Sequence, residues 1–189
     1  MLLDVFQRWW VEHMLNKFIA AVTVLCVCLG SVATIHALSQ DPLDGSNRIF
    51  RDELLDKLVG DWKLTRKIRG RTVENTVHAE WVLNHQFLLI HMKDVAVPAT
   101  YEAMVYIGYD NASDRYVVHW LDYFGGRFSE TLGYGSRSGN SIKFVFEYPD
   151  GPFHNTFTWD EKTGWNFLLQ SKDKTGKWVV FAEDTLRRA

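Results

Sequence analysis

Tyr101 to Phe124, YEAMVYIGYDNASDRYVVHWLDYF, decides the fold. Two runs of strong β-formers, Val105-Tyr106-Ile107-Gly108-Tyr109 and Tyr116-Val117-Val118-His119-Trp120, flank Asp110-Asn111-Ala112-Ser113, whose side chains favour turns. The stretch reads as an antiparallel hairpin. Alternation puts Tyr101, Ala103, Val105, Ile107 and Tyr109 on one face and Glu102, Met104, Tyr106 and Gly108 on the other. In the second strand Arg115, Val117, His119, Leu121 and Tyr123 lie opposite Tyr116, Val118, Trp120 and Asp122. Both faces are apolar, as in a wall covered on its outside by a helix or partner. Parity alone therefore leaves the inward face open.

The same period extends outward from the hairpin. Before it, 60–69, 72–81 and 85–95 read as strands, and Pro98 ends the last because it lacks an N–H donor. After it, Gly125-Gly126 suits a tight turn into 127–135, followed by 142–148, 153–159, 165–171 and 177–186. Each run stops at Gly, Pro, Asn or Asp, giving about ten strands. Ahead of them, Ile49, Phe50, Leu54, Leu55 and Leu58 have near-helical spacing, with Ser46 or Asn47 as cap and Gly60 as stop. That helix is too short to stand alone and is expected to pack on the sheet or plug one end. No further helix and no room for βαβ crossovers remain. Short connections imply next-neighbour antiparallel pairing, and a meander of this length escapes its exposed edges by closing into a barrel.

The remaining N-terminal sequence has a different character. Phe18 to Leu29 is apolar apart from Thr23, follows Lys17, and leads to the small-x-small exit Ala37-Leu38-Ser39. This describes a secretory signal peptide over 1–39, with an uncleaved anchor as the alternative. Met14 is a more usual start for such a signal than Met1; the alternative is a genuine amphipathic extension over 1–13. Both cysteines, Cys26 and Cys28, fall within the leader, and neither follows the small residue that a lipoprotein site needs. The expected mature chain is a linker and helix over 40–59 and a β-domain over 60–189. It has no cysteine, hence no disulfide, thiolate metal site or cysteine nucleophile. A formal net charge of -2 gives no global attraction to nucleic acid or an anionic membrane.

Two resemblances rest on particular residues. Gly60-Asp61-Trp62 after a short helix, with Arg187-Arg188 near the chain's end, resembles the Gly-x-Trp and terminal-arginine signature of lipocalin-type (calycin) barrels. The likeness implies barrel closure by Gly60, Trp62 and Arg187, and guanidinium stacking on indole is physically favourable. Leu58-Val59-Gly60-Asp61-Trp62, Glu80-Trp81-Val82-Leu83, Phe87-Leu88, Tyr101 to Asn111 and Val118 to Asp122 are similar to the bacterial domain-of-unknown-function family 1579. Asn84-His85-Gln86 departs from that pattern, where a glycine-containing turn is common. The resemblance implies a lipocalin-like barrel and export, and it brings no established catalytic residues.

The candidate chemistry is sparse. His119 facing inward would suit acid–base work with Glu102 or Glu130; otherwise it is a structural strand histidine and the glutamates face solvent. His78, His91, His119 and His154 match no compact ligand spacing, so neither a metal nor another cofactor is expected. No G-x-S-x-G nucleophile motif occurs, and the glycine pairs precede no helix that would make a phosphate loop. Aromatic residues make up 14% of the chain, enough either to fill a core or to line a pocket in the barrel's mouth. Trp81, Tyr106, Trp120, Phe144 and Phe157, with His119, are the residues expected to meet a ligand. The sequence thus predicts an all-β, ten-stranded up-and-down barrel with a short N-terminal helix. Its expected role is an exported, periplasmic or secreted binder of a small apolar ligand, touching membrane only through an uncleaved leader. A cavity enzyme of isomerase or hydrolase type and a solid-core envelope interaction protein are the alternatives.

Overall fold

The structure, a computed structural model, describes residues 49–189. The expected leader, both cysteines and the proposed caps Ser46 and Asn47 lie outside the described residues. The helix, α1, is a single turn over Glu53–Asp56. Asp52 caps it, its carboxylate accepting from the amides of Leu54 and Leu55 at 2.8 and 3.1 Å, the usual service of an N-cap.

Ten strands follow in a meander: β1 Gly60–Ile68, β2 Arg71–Val82, β3 Phe87–Asp94, β4 Glu102–Asp110, β5 Arg115–Asp122, β6 Leu132–Ser138, β7 Ser141–Tyr148, β8 Gly151–Asp160, β9 Gly164–Lys172 and β10 Trp178–Arg188. Each pairs antiparallel with its neighbours, and β1 pairs with β10 from Trp62↔Arg188 to Ile68↔Ala182, closing the barrel. The expected strand starts at residues 85 and 127 come too early, and β3 begins only at Phe87. Residues 126–129 form a second short helix, α2 (Gly126–Ser129), and β6 begins only at Leu132. The Nε2 of His119 donates to the Ser129 carbonyl at 2.6 Å, tying α2 to the outside of β5.

Aspartates organise several hairpins. Asp110 accepts from the amides of Ala112 and Ser113, Asp160 from Lys162 and Thr163, and Asp173 from Thr175 and Lys177. The hydroxyls of Ser113, Thr163 and Thr175, followed by these amides, favour the ionised carboxylates and hold all three below the ordinary aspartate range. The connection at Asn84-His85-Gln86 takes another course. Leu83, Asn84 and His85 all have left-handed backbones, with φ of 51°, 55° and 62°. The His85 ring stacks on Trp81 at 4.0 Å, and its Nδ1 donates to the Phe50 carbonyl at 2.7 Å.

The inward face is now fixed. Burial selects Trp62, Leu64 and Arg66 on β1, Ala103, Val105 and Ile107 on β4, and Tyr116, Val118 and Trp120 on β5. Ile142, Phe144 and Phe146 on β7 face Phe157 on β8 and Trp165 and Phe167 on β9. Opposite these rings β6 offers only glycines, since a Cβ at Gly133 or Gly135 would come within 2.6 Å of Phe146 or Phe144. Large and small residues interdigitate to fill the middle of the barrel.

Candidate functional site: the open end of the barrel

In a meander all odd-to-even turns lie at one end and all even-to-odd turns at the other. The first group, between β1–β2, β3–β4, β5–β6, β7–β8 and β9–β10, surrounds a cavity of about 770 Å³. Its wall is aromatic. Phe146 stacks with Tyr148 at 5.3 Å, Tyr148 meets Phe153 at 6.2 Å, and Phe153 meets Phe181 at 5.4 Å, so one continuous ring contact crosses from β7 to β10. Trp120 and Tyr101 line the opposite side, joined by a 3.3 Å bond from the Trp120 Nε1 to the Tyr101 hydroxyl.

The cavity's inner end is polar. Arg66 and Asp184 face each other across β1 and β10, and the guanidinium donates through Nε and Nη2 to the two carboxylate oxygens, both at 2.7 Å. Burial opposes the charge on Arg66, but its bonds to Asp184 and their mutual attraction outweigh that and hold it above the ordinary arginine range. Asn75 and Asn155 also line the cavity, 3% and 1% exposed, and the Oδ1 of each is buried without a hydrogen-bond partner. An unanswered group of this kind costs about 1–3 kcal/mol. Burial pushes the Tyr101 phenol and the Asp122 carboxyl up, and pushes Tyr148 up to about 12. The three groups thus favour their neutral forms over a wider pH range than they do in water.

The other end is closed by packing. Leu54, Leu55 and Leu58 are buried against Trp62, whose Nε1 donates to the Leu58 carbonyl at 2.7 Å. The guanidinium of Arg188 lies 4.0 Å from the Trp62 ring and donates to the carbonyls of Val59 at 2.6 Å and Lys57 at 3.1 Å. Gly60 admits it: its φ is +117°, and a Cβ there would collide with the guanidinium. Asp52 accepts from Arg137 at 3.2 Å and from the Tyr116 hydroxyl, beyond its capping bonds.

Residues 51–188, from just before α1 into the end of β10, match the family model described as protein of unknown function, DUF1579. The chain belongs to that family. No protein of curated function matches the sequence.

This DUF1579 barrel scatters the residues singled out from the sequence. Of the expected ligand contacts only Trp120 lines the cavity. Phe144 and Phe157 are fully buried in the packed layer beneath it. Trp81 belongs to the closed end, where its Nε1 donates to Asp56 at 2.8 Å. Tyr106 and His119 are cross-strand partners on the outer face, because the buried Val105, Ile107, Val118 and Trp120 claim the inward parity of β4 and β5. Glu102 is outside too, bonded to His91 at 2.7 Å with Lys93 at 3.5 Å, and Glu130 is exposed at the end of α2. The His119–carboxylate pair is not formed. Gly60 and Trp62 stand at the closure, but the arginine over the indole is Arg188. Register pairs Arg187 with Lys63 on the outer face and Arg188 with Trp62. Among the described residues no group of three or more His, Cys, Asp or Glu is placed to hold a metal ion.

The sequence reading missed Arg66, Asp184, Asn75, Asn155, Tyr101 and Asp122. The signal was present as charged residues at inward parity, in Trp62-x-Leu64-x-Arg66 and Ala182-x-Asp184-x-Leu186. It becomes readable only after the inward face is known.

Proposed function

We propose that this DUF1579 protein is an exported binding protein whose open-end cavity takes a small, largely apolar ligand. The observation that carries the reading is the cavity itself. About 770 Å³ stays open behind a mouth lined by Phe146, Tyr148, Phe153, Phe181 and Trp120, within the range usual for small-molecule sites. Burying apolar surface against these rings supplies the affinity, roughly 25 cal/mol per Å² removed from water. The packed layer at Phe144, Phe157 and Phe167 stops the ligand from running further down the barrel. Export rests on the basic start, apolar run and Ala37-Leu38-Ser39 exit of the leader.

Native mass spectrometry of the protein purified from its own host tests both parts. The expected species is a mature chain beginning near Gln40, carrying a small-molecule adduct that denaturing conditions remove. A ligand-free chain that retains the leader would overturn the reading.

A further inference from the structure

We propose that the cavity selects an uncharged, hydrogen-bonding head group, such as an amide or a hydroxyl, and that Asn75 and Asn155 read it. The proposal rests on the cavity-binding reading above and names its ligand class. Its ground is how the polar groups at the cavity's inner end divide.

Arg66 looks at first like an anchor for an anion. Its side chain is only 8% exposed, however, and that of Asp184 is not exposed at all. Two short bonds commit its Nε and Nη2 to this one carboxylate. The pair is electrically neutral, and among the described residues no other cation lies at the cavity's inner end to answer the buried charge of a carboxylate head group. Asp122, on the same cavity wall, adds a further repulsion whenever it is ionised. Arg69, Arg71 and Lys172 stand among the turns and strand ends of the rim, with Asp94 and Asp150 also on the lining. An anion held at that rim would leave the polar inner end facing its apolar tail.

Asn75 and Asn155 are different. Neither carries charge, and the carboxamide oxygen of each is buried and unbonded. Register places them on either side of the ion pair. Asn75 of β2 pairs with Leu64, two residues before Arg66 on β1, and Asn155 of β8 pairs with Leu169, which in turn pairs with Ala182, two residues before Asp184 on β10. Together they make a polar belt across β2, β1, β10 and β8 at the bottom of an aromatic shaft. A carboxamide offers both an acceptor and two donors. Its complement is a group that both donates and accepts without bringing a charge to be desolvated. The apolar body of the ligand then extends outward along Tyr148 and Phe153.

The test is displacement of an apolar fluorescent probe from the full chain by decanamide, decanoate and decylammonium at neutral pH. These share a tail and differ in head-group charge. Decanamide is expected to bind more tightly than either ion by about tenfold or more. In Asn75→Leu and Asn155→Leu the amide's advantage should shrink, while the ions bind as before and the thermal midpoint holds or rises. Decanoate or decylammonium binding as tightly as the amide would overturn the neutral-head assignment and leave the cavity reading standing. An amide preference surviving in both variants would overturn the role of the two asparagines. Failure of all three compounds, with no saturable binding of the probe, would overturn the cavity reading beneath it. The ranking on the unaltered protein needs no variant to fold.

Discussion

The two ends of this barrel are made by the same strands with the same alternation, yet they solve opposite problems. At the closed end polar groups are mostly answered. Trp62 bonds to Leu58, Arg188 to two carbonyls, Trp81 to Asp56, and Asp52 to four donors; the Nε1 of Trp165 is an exception. At the open end two buried asparagines stay unanswered and aromatic rings border open space. The rim adds exposed apolar side chains, with Val97 97% exposed and Tyr123 and Phe124 both about two-thirds exposed. Packing and open space divide the same interior: α1 and its leucines fill one end, and the other stays open. Sites that break local rules of satisfaction are where function is expected.

The largest way to break this contrast lies at the boundary between the ends. Arg66→Leu leaves Asp184 buried and unpaired, and is expected to cost about 3–5 kcal/mol in urea unfolding. Arg66→Met combined with Asp184→Leu should recover most of that loss, because the pair contributes little beyond its own desolvation. A single variant as stable as the parent would show that the pair is not sealed from water.

Smaller effects belong to the closure. Gly60→Ala forces a side chain onto a +117° backbone and into Arg188, with an expected cost of about 1–3 kcal/mol. Arg188→Ala should lower stability by roughly 1–2 kcal/mol through the lost ring contact and carbonyl bonds. Arg187→Ala should stay within about 0.5 kcal/mol of the parent, as exposed substitutions do. Equal effects at the two arginines would contradict the register. None of these variants should alter ligand affinity if the two ends are independent.

The subtlest effect is a pH dependence at the open end. Burial raises the folded-state pKa of Asp122 above its ordinary 3.8, so the folded chain holds that proton more tightly than the unfolded one. The stabilisation linked to this is fully present below pH 3.8 and is lost as pH rises through the higher folded value. Asp122→Asn carries no ionisation cost. Its stability relative to the parent should therefore increase from acid to neutral pH, measured by urea midpoints across that range. A constant difference would place Asp122 in open solvent.

The barrel itself was legible because β-periodicity and turn residues agree along the whole domain, and the hairpin at 101–124 is paired as read, Ala103↔Asp122 to Asp110↔Arg115. α2 was not legible. Gly125-Gly126 signals a hairpin turn as readily as a helix start, and Arg127-Phe128-Ser129 fits either. The site was hidden for a related reason. β4 and β5 carry Tyr106, Val117 and Leu121 outside as well as Val105 and Trp120 inside, so alternation could not tell wall from lining. Arg66 and Asp184 read as ordinary surface charges until closure of β1 on β10 brings them together across 118 residues of sequence. The arginine over Trp62 was placed one residue early, at Arg187 instead of Arg188, and in a strand one residue exchanges the two faces.

The central claim is that one end binds and the other does not. Amide-resolved NMR of the isotope-labelled protein, titrated with decanamide, tests it most directly. Saturable shifts should gather at Ile68, Tyr101, Trp120, Phe153, Asn155 and Phe181 and leave Leu55, Trp62 and Trp165 unmoved. Shifts centred on the closed end, or on the outer face around Tyr106 and His119, would contradict it.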